Sequence, residues 1–146
     1  VAPQVSLAHT STRLHGRPSQ PTPPKPTGLV LAAATNPGFQ VGIDVEARER
    51  SLPAVDRLLD PGERDWVDDD FGVIGLLVAK EAAAKAAGTG LNGSLRRWPV
   101  LHRRGPVVLV GDEQENLRVV RVECDDTWVV GICTTAWEVQ NLASMC

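Results

Sequence analysis

Three carboxylates and a lysine, carried by two short motifs, are the residues of this chain best suited to chemistry. The first motif is Val41-Gly42-Ile43-Asp44-Val45-Glu46. An extended chain sends residues two apart to the same side, so Asp44 and Glu46 converge on one face. A carboxylate pair withdrawn from water is costly unless a cation or hydrogen-bond donors compensate it. Hard oxygen ligands of this kind suit Mg²⁺, which takes one or two protein carboxylates and completes its shell with water and substrate phosphates. Taken alone, the pair is equally consistent with two solvated side chains on a strand edge. The second motif runs from Lys80-Glu81-Ala82 to Gly88-Thr89-Gly90-Leu91. Glu81 adds a third carboxylate, and Lys85, one helical turn on, sets an ammonium on the same face. An exposed i,i+4 ion pair is the plainer reading of those two. Together the two motifs point to a cation site with a phosphate-binding lysine beside it.

The elements that must position these groups are legible in outline. Residues 74–87 are rich in Ala and Leu without an interior proline, and Gly88 sits where a helix stops, so a helix is predicted there with Leu77, Glu81 and Lys85 on one face. Leu29 to Ala34 and Val41 to Glu46 read as strands, and Asn36-Pro37-Gly38 as a tight turn that would make them neighbours. The stretch 52–67 carries helical spacing broken at Asp60-Pro61-Gly62, which predicts two short helices. Downstream, 107–110, 117–122 and 128–133 are β-branched runs parted by polar turns, an antiparallel meander. Residues 16–28 hold five of the eleven prolines and read as an exposed, extended, mobile loop. The chain starts without Met and goes straight into a strand-like alternation over Val1 to His9, as a piece cut from a longer polypeptide would.

Composition narrows the function classes. At 146 residues the chain suits a single domain, 1–146. No apolar run approaches the roughly 20 residues of a membrane span, and no export signal opens the chain, so a cytoplasmic protein is expected. A net charge of −3 argues against general nucleic-acid binding. Positive charge gathers at Arg96, Arg97, Arg103 and Arg104 and negative charge at Asp68, Asp69 and Asp70; each is a solvated face or a docking patch for a phosphate or an acidic partner. Cys124, Cys133 and Cys146 lack the spacing of a zinc or redox site and read as ordinary thiols.

In their order and spelling the motifs resemble the 4′-phosphopantetheinyl transferase superfamily. That family has a Gly-Ile/Val-Asp-Val/Ile-Glu strand followed by a helix reading Trp-x-x-Lys-Glu-Ala-x-x-Lys-x-x-Gly-x-Gly-Leu. Here the matching residues are Gly42 to Glu46, then Lys80, Glu81, Ala82, Lys85, Gly88, Gly90 and Leu91. A third element, a Ser-x-Ser-His-Ser/Thr strand, is similar to Ser6-Leu7-Ala8-His9-Thr10. Leu77 stands where the family has Trp, Ala8 replaces the serine before the histidine, and the gap from His9 to Gly42 is longer than usual.

The resemblance implies an α+β fold with an antiparallel sheet packed on a long central helix. It implies transfer of the phosphopantetheine arm of coenzyme A to a serine of an acyl carrier protein, with release of adenosine 3′,5′-bisphosphate. By the same resemblance Asp44, Glu46 and Glu81 would hold Mg²⁺, Glu81 and Lys85 would be catalytic, and His9, Lys80 and Lys85 would bind coenzyme A. Short members of the family assemble as trimers with coenzyme A between neighbours, and a homotrimer is the expectation here. The size also resembles transferase domains integrated into large polyketide synthases. Two other readings stay open: a silent module of the same fold that binds carrier proteins, and a different Mg²⁺-dependent phosphoryl-transfer enzyme.

Overall fold

The computed structural model describes residues 3–11, 28–50, 52, 58–68, 71–91 and 94–135. Strands β1 (Val5–Ser11) and β2 (Gly28–Ala34) form an antiparallel hairpin of their own. Strands β3 (Val41–Ala47), β4 (Val100–Arg104), β5 (Val107–Gly111), β6 (Leu117–Cys124) and β7 (Trp128–Thr134) form an antiparallel sheet in the order β3-β7-β6-β5-β4. Helix α1 (Gly72–Ala86) lies across β3, β7 and β6, and the β1–β2 hairpin packs against β3. The result is the α+β arrangement of a sheet on one main helix.

Helix α1 forms where the sequence predicts it, two residues earlier at the start. Asp68 closes that start: its carboxylate accepts the Phe71 amide at 2.8 Å and its carbonyl accepts the Gly72 amide at 2.8 Å. At the other end Gly88 adopts φ 75°, and the amides of Thr89 and Gly90 turn back to the Ala84 carbonyl. A side chain with a Cβ rarely adopts that conformation, which is why glycine stops the helix.

Strand β3 does not pair with β2. Burial explains it: β2 alternates exposed and half-buried residues, whereas all seven positions of β3 are buried. A one-sided strand suits a covering hairpin, and a strand buried on both faces belongs between layers. The Asn36-Pro37-Gly38 turn is therefore a corner between sheets. Strand β3 is nonetheless an edge, whose free donors need partners. Side chains of the first strand region supply them, with Gln4 Oε1 accepting the Val41 amide at 2.6 Å and Ser6 Oγ accepting the Ile43 amide at 3.0 Å.

The helix approaches β3 backbone to backbone. A methyl group at Gly42 would run into the Ala82 carbonyl and the Ala86 amide, and one at Gly131 on β7 would come 2.6 Å from Val78 Cγ1. Small residues on both sides, Ala79, Ala82, Ala83 and Ala86 on the helix, complete the seam. Below it Val108, Val110, Val120, Val122 and Trp98 fill the main core.

Several charged groups singled out in the sequence are structural. Lys80 is fully buried and donates to Glu63 Oε2 at 2.6 Å and to the Leu95 carbonyl at 3.4 Å. Glu63, 2% exposed, also accepts the Asp60 amide at 2.9 Å and the Val100 amide at 2.7 Å. This pair ties α1 to the 3₁₀ turn Pro61–Trp66, to the segment at Leu95 and to β4, so Lys80 has no surface from which to contact coenzyme A. That corrects its expected role. Arg103 bonds the Trp66 carbonyl and Asp68, and its guanidinium lies 4.0 Å from the centre of the Phe71 ring; Arg97 pairs with Glu113 and Arg96 with Asp60. Three of the four clustered arginines thus have acidic partners, while Arg96 and Arg97 keep about half of their side chains exposed.

Of the two helices expected over 52–67, the first falls mostly outside the described residues and the second is the 3₁₀ turn. The proline loop at 16–27 also lies outside them.

Removing one partner of a buried ion pair strands the other charge at a cost of about 3–5 kcal/mol. A Lys80→Met variant is expected to lose stability on that scale, read from its urea midpoint at unchanged slope. A loss below about 1 kcal/mol would show that the pair does not hold these elements together.

Candidate active site

Because Gly42 lets α1 descend onto β3, side chains from the two elements meet directly. Gly42, Asp44 and Glu46 share the side of β3 that faces the helix. From α1, Lys85 Nζ donates to Asp44 Oδ1 at 2.7 Å and to the Ile43 carbonyl at 3.2 Å. The other oxygen of Asp44, Oδ2, is buried and has no hydrogen-bond partner among the described residues. Both oxygens of Glu46 are engaged: Thr10 Oγ1 on β1 donates to Oε2 at 3.0 Å, and Arg50 Nη1, in the turn after β3, donates to Oε1. Glu81 stands close enough to feel the charges of Asp44, Glu46, Lys85 and Arg50.

Three carboxylates and two cations therefore share one half-buried site. Burial, and then the neighbouring Asp44 charge, push Glu81 up to about 7; Glu46 adds to the rise, while Lys85 and Arg50 oppose it. Burial likewise raises Asp44 above the usual carboxylate range against the lowering effect of Lys85. Acids so placed favour additional positive charge.

The chemistry of the donor set fits a hard divalent cation: three carboxylates, one with a buried oxygen that lacks a hydrogen-bond partner among the described residues. With Asp44 turned to Lys85 and Glu46 to Arg50, the described residues contain no three His, Cys, Asp or Glu side chains already closed around one point. Asp44, Glu46 and Glu81 are the residues that would hold the ion, with Lys85 and Arg50 exchanging partners as it enters.

Four of the residues expected from the sequence, Asp44, Glu46, Glu81 and Lys85, come together here. Lys80 does not, being held by Glu63. His9 is exposed on the outward face of the hairpin, whereas Thr10 beside it turns inward to Glu46. Ala8 also points inward, 2% exposed, into a small apolar cluster with Ile43 and Val45, where a hydroxyl would lack the apolar fit that a methyl has. Leu77, at the family's Trp position, is buried one turn before Glu81. Thr10 and Arg50 are the site residues that the motifs alone did not single out. The Arg50 contact depends on the turn after β3, where the Arg50 amide bonds the Ala47 carbonyl, and the Thr10 contact on how the hairpin packs.

A carboxyl whose pKa is higher folded than unfolded stabilises the fold at low pH and ceases to do so as pH rises through the folded value. For Glu81 that window runs from its ordinary 4.5 to about 7, and Asp44 acts in the same direction. In chelator, the melting temperature is expected to fall across this window, with a flatter profile in Glu81→Gln. An unchanged slope in the variant would contradict the assignment.

No helix of the described residues is long and apolar enough to cross a membrane. No curated protein matches the chain significantly. A family model for the 4′-phosphopantetheinyl transferase superfamily matches residues 40–133. That match begins just before β3, contains α1 and ends in β7, so it includes both motifs and the seam that joins them. The motif order, the fold and the match over well more than half of its length agree: this chain belongs to the 4′-phosphopantetheinyl transferase superfamily.

Proposed function

We propose that the protein transfers the 4′-phosphopantetheine group of coenzyme A to a serine of an acyl carrier protein in a Mg²⁺-dependent reaction, releasing adenosine 3′,5′-bisphosphate. The observation that carries this reading is the meeting of Asp44 and Glu46 on β3 with Glu81 and Lys85 on α1. Phosphopantetheinyl transfer is the activity of the family; the metal, the acceptor and the products are the finer proposal.

In this mechanism Asp44, Glu46 and Glu81 would hold Mg²⁺. When bound, the ion supplies positive charge against the pyrophosphate of coenzyme A. Thr10 keeps the Glu46 carboxylate oriented through Oε2. The serine oxygen of the carrier attacks the phosphorus that bears pantetheine, and the bond from that phosphorus to the bridging oxygen breaks. Glu81 accepts the serine proton as the new phosphodiester forms. Lys85, tied to Asp44 and the Ile43 carbonyl, directs its charge at the phosphate oxygens where negative charge develops. Lys80 acts only through the packing of α1.

The outward face of the hairpin supports assembly with further copies. Val5, Leu7 and Val30 are 59%, 65% and 73% exposed there, and His9 stands among them. Covering that face with a neighbouring subunit in a trimer buries the apolar side chains and lets His9 meet a coenzyme A phosphate at the contact.

The test is to incubate the protein with apo carrier protein, coenzyme A and Mg²⁺ and to weigh the carrier. The phosphopantetheine mass should appear, and Glu81→Gln should lower kcat/KM by at least about 100-fold with an unchanged circular dichroism spectrum. Transfer at the full rate in that variant would remove Glu81 from its role. No added mass on a range of carriers would favour a silent carrier-binding module. Light scattering on the same preparation should give a trimer, and a strict monomer would contradict the assembly.

A further inference from the structure

The two cations of the site are held differently. Lys85 comes from the helix and is anchored twice, by Asp44 and by the Ile43 carbonyl. Arg50 comes from the turn after β3, where its amide bonds the Ala47 carbonyl, and its side chain is 46% exposed against 11% for Glu46. Arg50 occupies Oε1 of Glu46 while Thr10 occupies Oε2. A carboxylate oxygen has two lone pairs, so the neutral Thr10 hydroxyl can stay while an ion binds Glu46. A guanidinium on Oε1 is different, because its positive charge would lie against the incoming ion at close range. Without Arg50, the three carboxylates would face Lys85 as the one cation left among the described residues of the site.

We propose that Arg50 is a positioning residue that holds Glu46 when no divalent ion is bound and gives up Oε1 when one enters, so that it sets the affinity of the site for metal. The inference rests on the reading of Asp44, Glu46 and Glu81 as metal ligands. It makes the closed acidic cluster a resting arrangement in which Arg50 and Lys85 stand where a divalent charge would act. Arg50 then has to exchange one anionic partner for another. The phosphates of an incoming coenzyme A offer its guanidinium a replacement anionic acceptor for the Glu46 oxygen it leaves.

The experiment uses Mn²⁺ alone, without coenzyme A, followed by the loss of the free-ion electron paramagnetic resonance signal. Arg50→Gln is expected to bind Mn²⁺ about threefold to tenfold more tightly than the parent protein. Its metal-free melting temperature should fall, and the rise on adding Mn²⁺ should be larger than in the parent. Arg50→Lys, which keeps the charge but loses the planar fork, should lie between the two. Arg48→Gln serves as the charge control. Arg48 donates to the Asp125 carbonyl at 3.0 Å rather than to Glu46, so its removal should leave the affinity unchanged. Binding to the parent with no tightening in Arg50→Gln, or equal tightening in Arg48→Gln, would overturn the inference and leave the metal ligands standing. No Mn²⁺ binding to the parent would overturn both.

Discussion

The distance between the α1 backbone and strand β3 at Gly42 is the constraint on which the rest depends. With a side chain at that position, the Ala82 carbonyl and Ala86 amide could not stay where they are. The helix would ride outward, carrying Glu81 and Lys85 with it. The 2.7 Å contact from Lys85 to Asp44 exists because two backbones touch, and the alanines of α1 and Gly131 on β7 extend the same seam. The glycine that opens the Gly-Ile-Asp-Val-Glu motif is thus part of the site although it has no side chain to contribute.

That closeness concentrates charge. Asp44, Glu46 and Glu81 are brought within range of one another in a half-buried setting, which raises both Asp44 and Glu81. Lys85 and Arg50 offset part of the repulsion, and the orphaned Asp44 Oδ2 shows that the offset is incomplete. A site of this kind gains when further positive charge enters. A separate anchor holds the helix: the buried Lys80–Glu63 pair, with its backbone partners, ties α1 to the 3₁₀ turn and β4.

Much of this was legible before the structure. The alanine-rich run and Gly88 announce α1, and the two-residue step from Asp44 to Glu46 announces a shared face. Pairing was less legible, because Asn36-Pro37-Gly38 marks a change of direction without saying which strand becomes the neighbour. Strand β4 is not legible in the sequence, since Val-Leu-His-Arg-Arg shows little alternation and its charged end reads as surface. Helix geometry sets Lys80 apart from the site, on the side held by Glu63. Adjacent helical residues are rotated by about 100°, so a residue next to Glu81 cannot share the face that Lys85 shares four positions on. His9 and Thr10 illustrate the same alternation on a strand, one outward and one toward Glu46. Which of them faced the carboxylates depended on how the hairpin covers β3, a long-range contact that motif spacing does not encode.

The central claim is that Asp44, Glu46 and Glu81 form one divalent-cation site created by the approach of α1 to β3. Anomalous scattering from crystals grown with Mn²⁺ and coenzyme A tests it most directly. The account predicts a strong peak among these three carboxylates, beside a coenzyme A phosphate and within reach of Lys85. A well-occupied coenzyme A with no peak there, or with the metal bound by other residues, would contradict it.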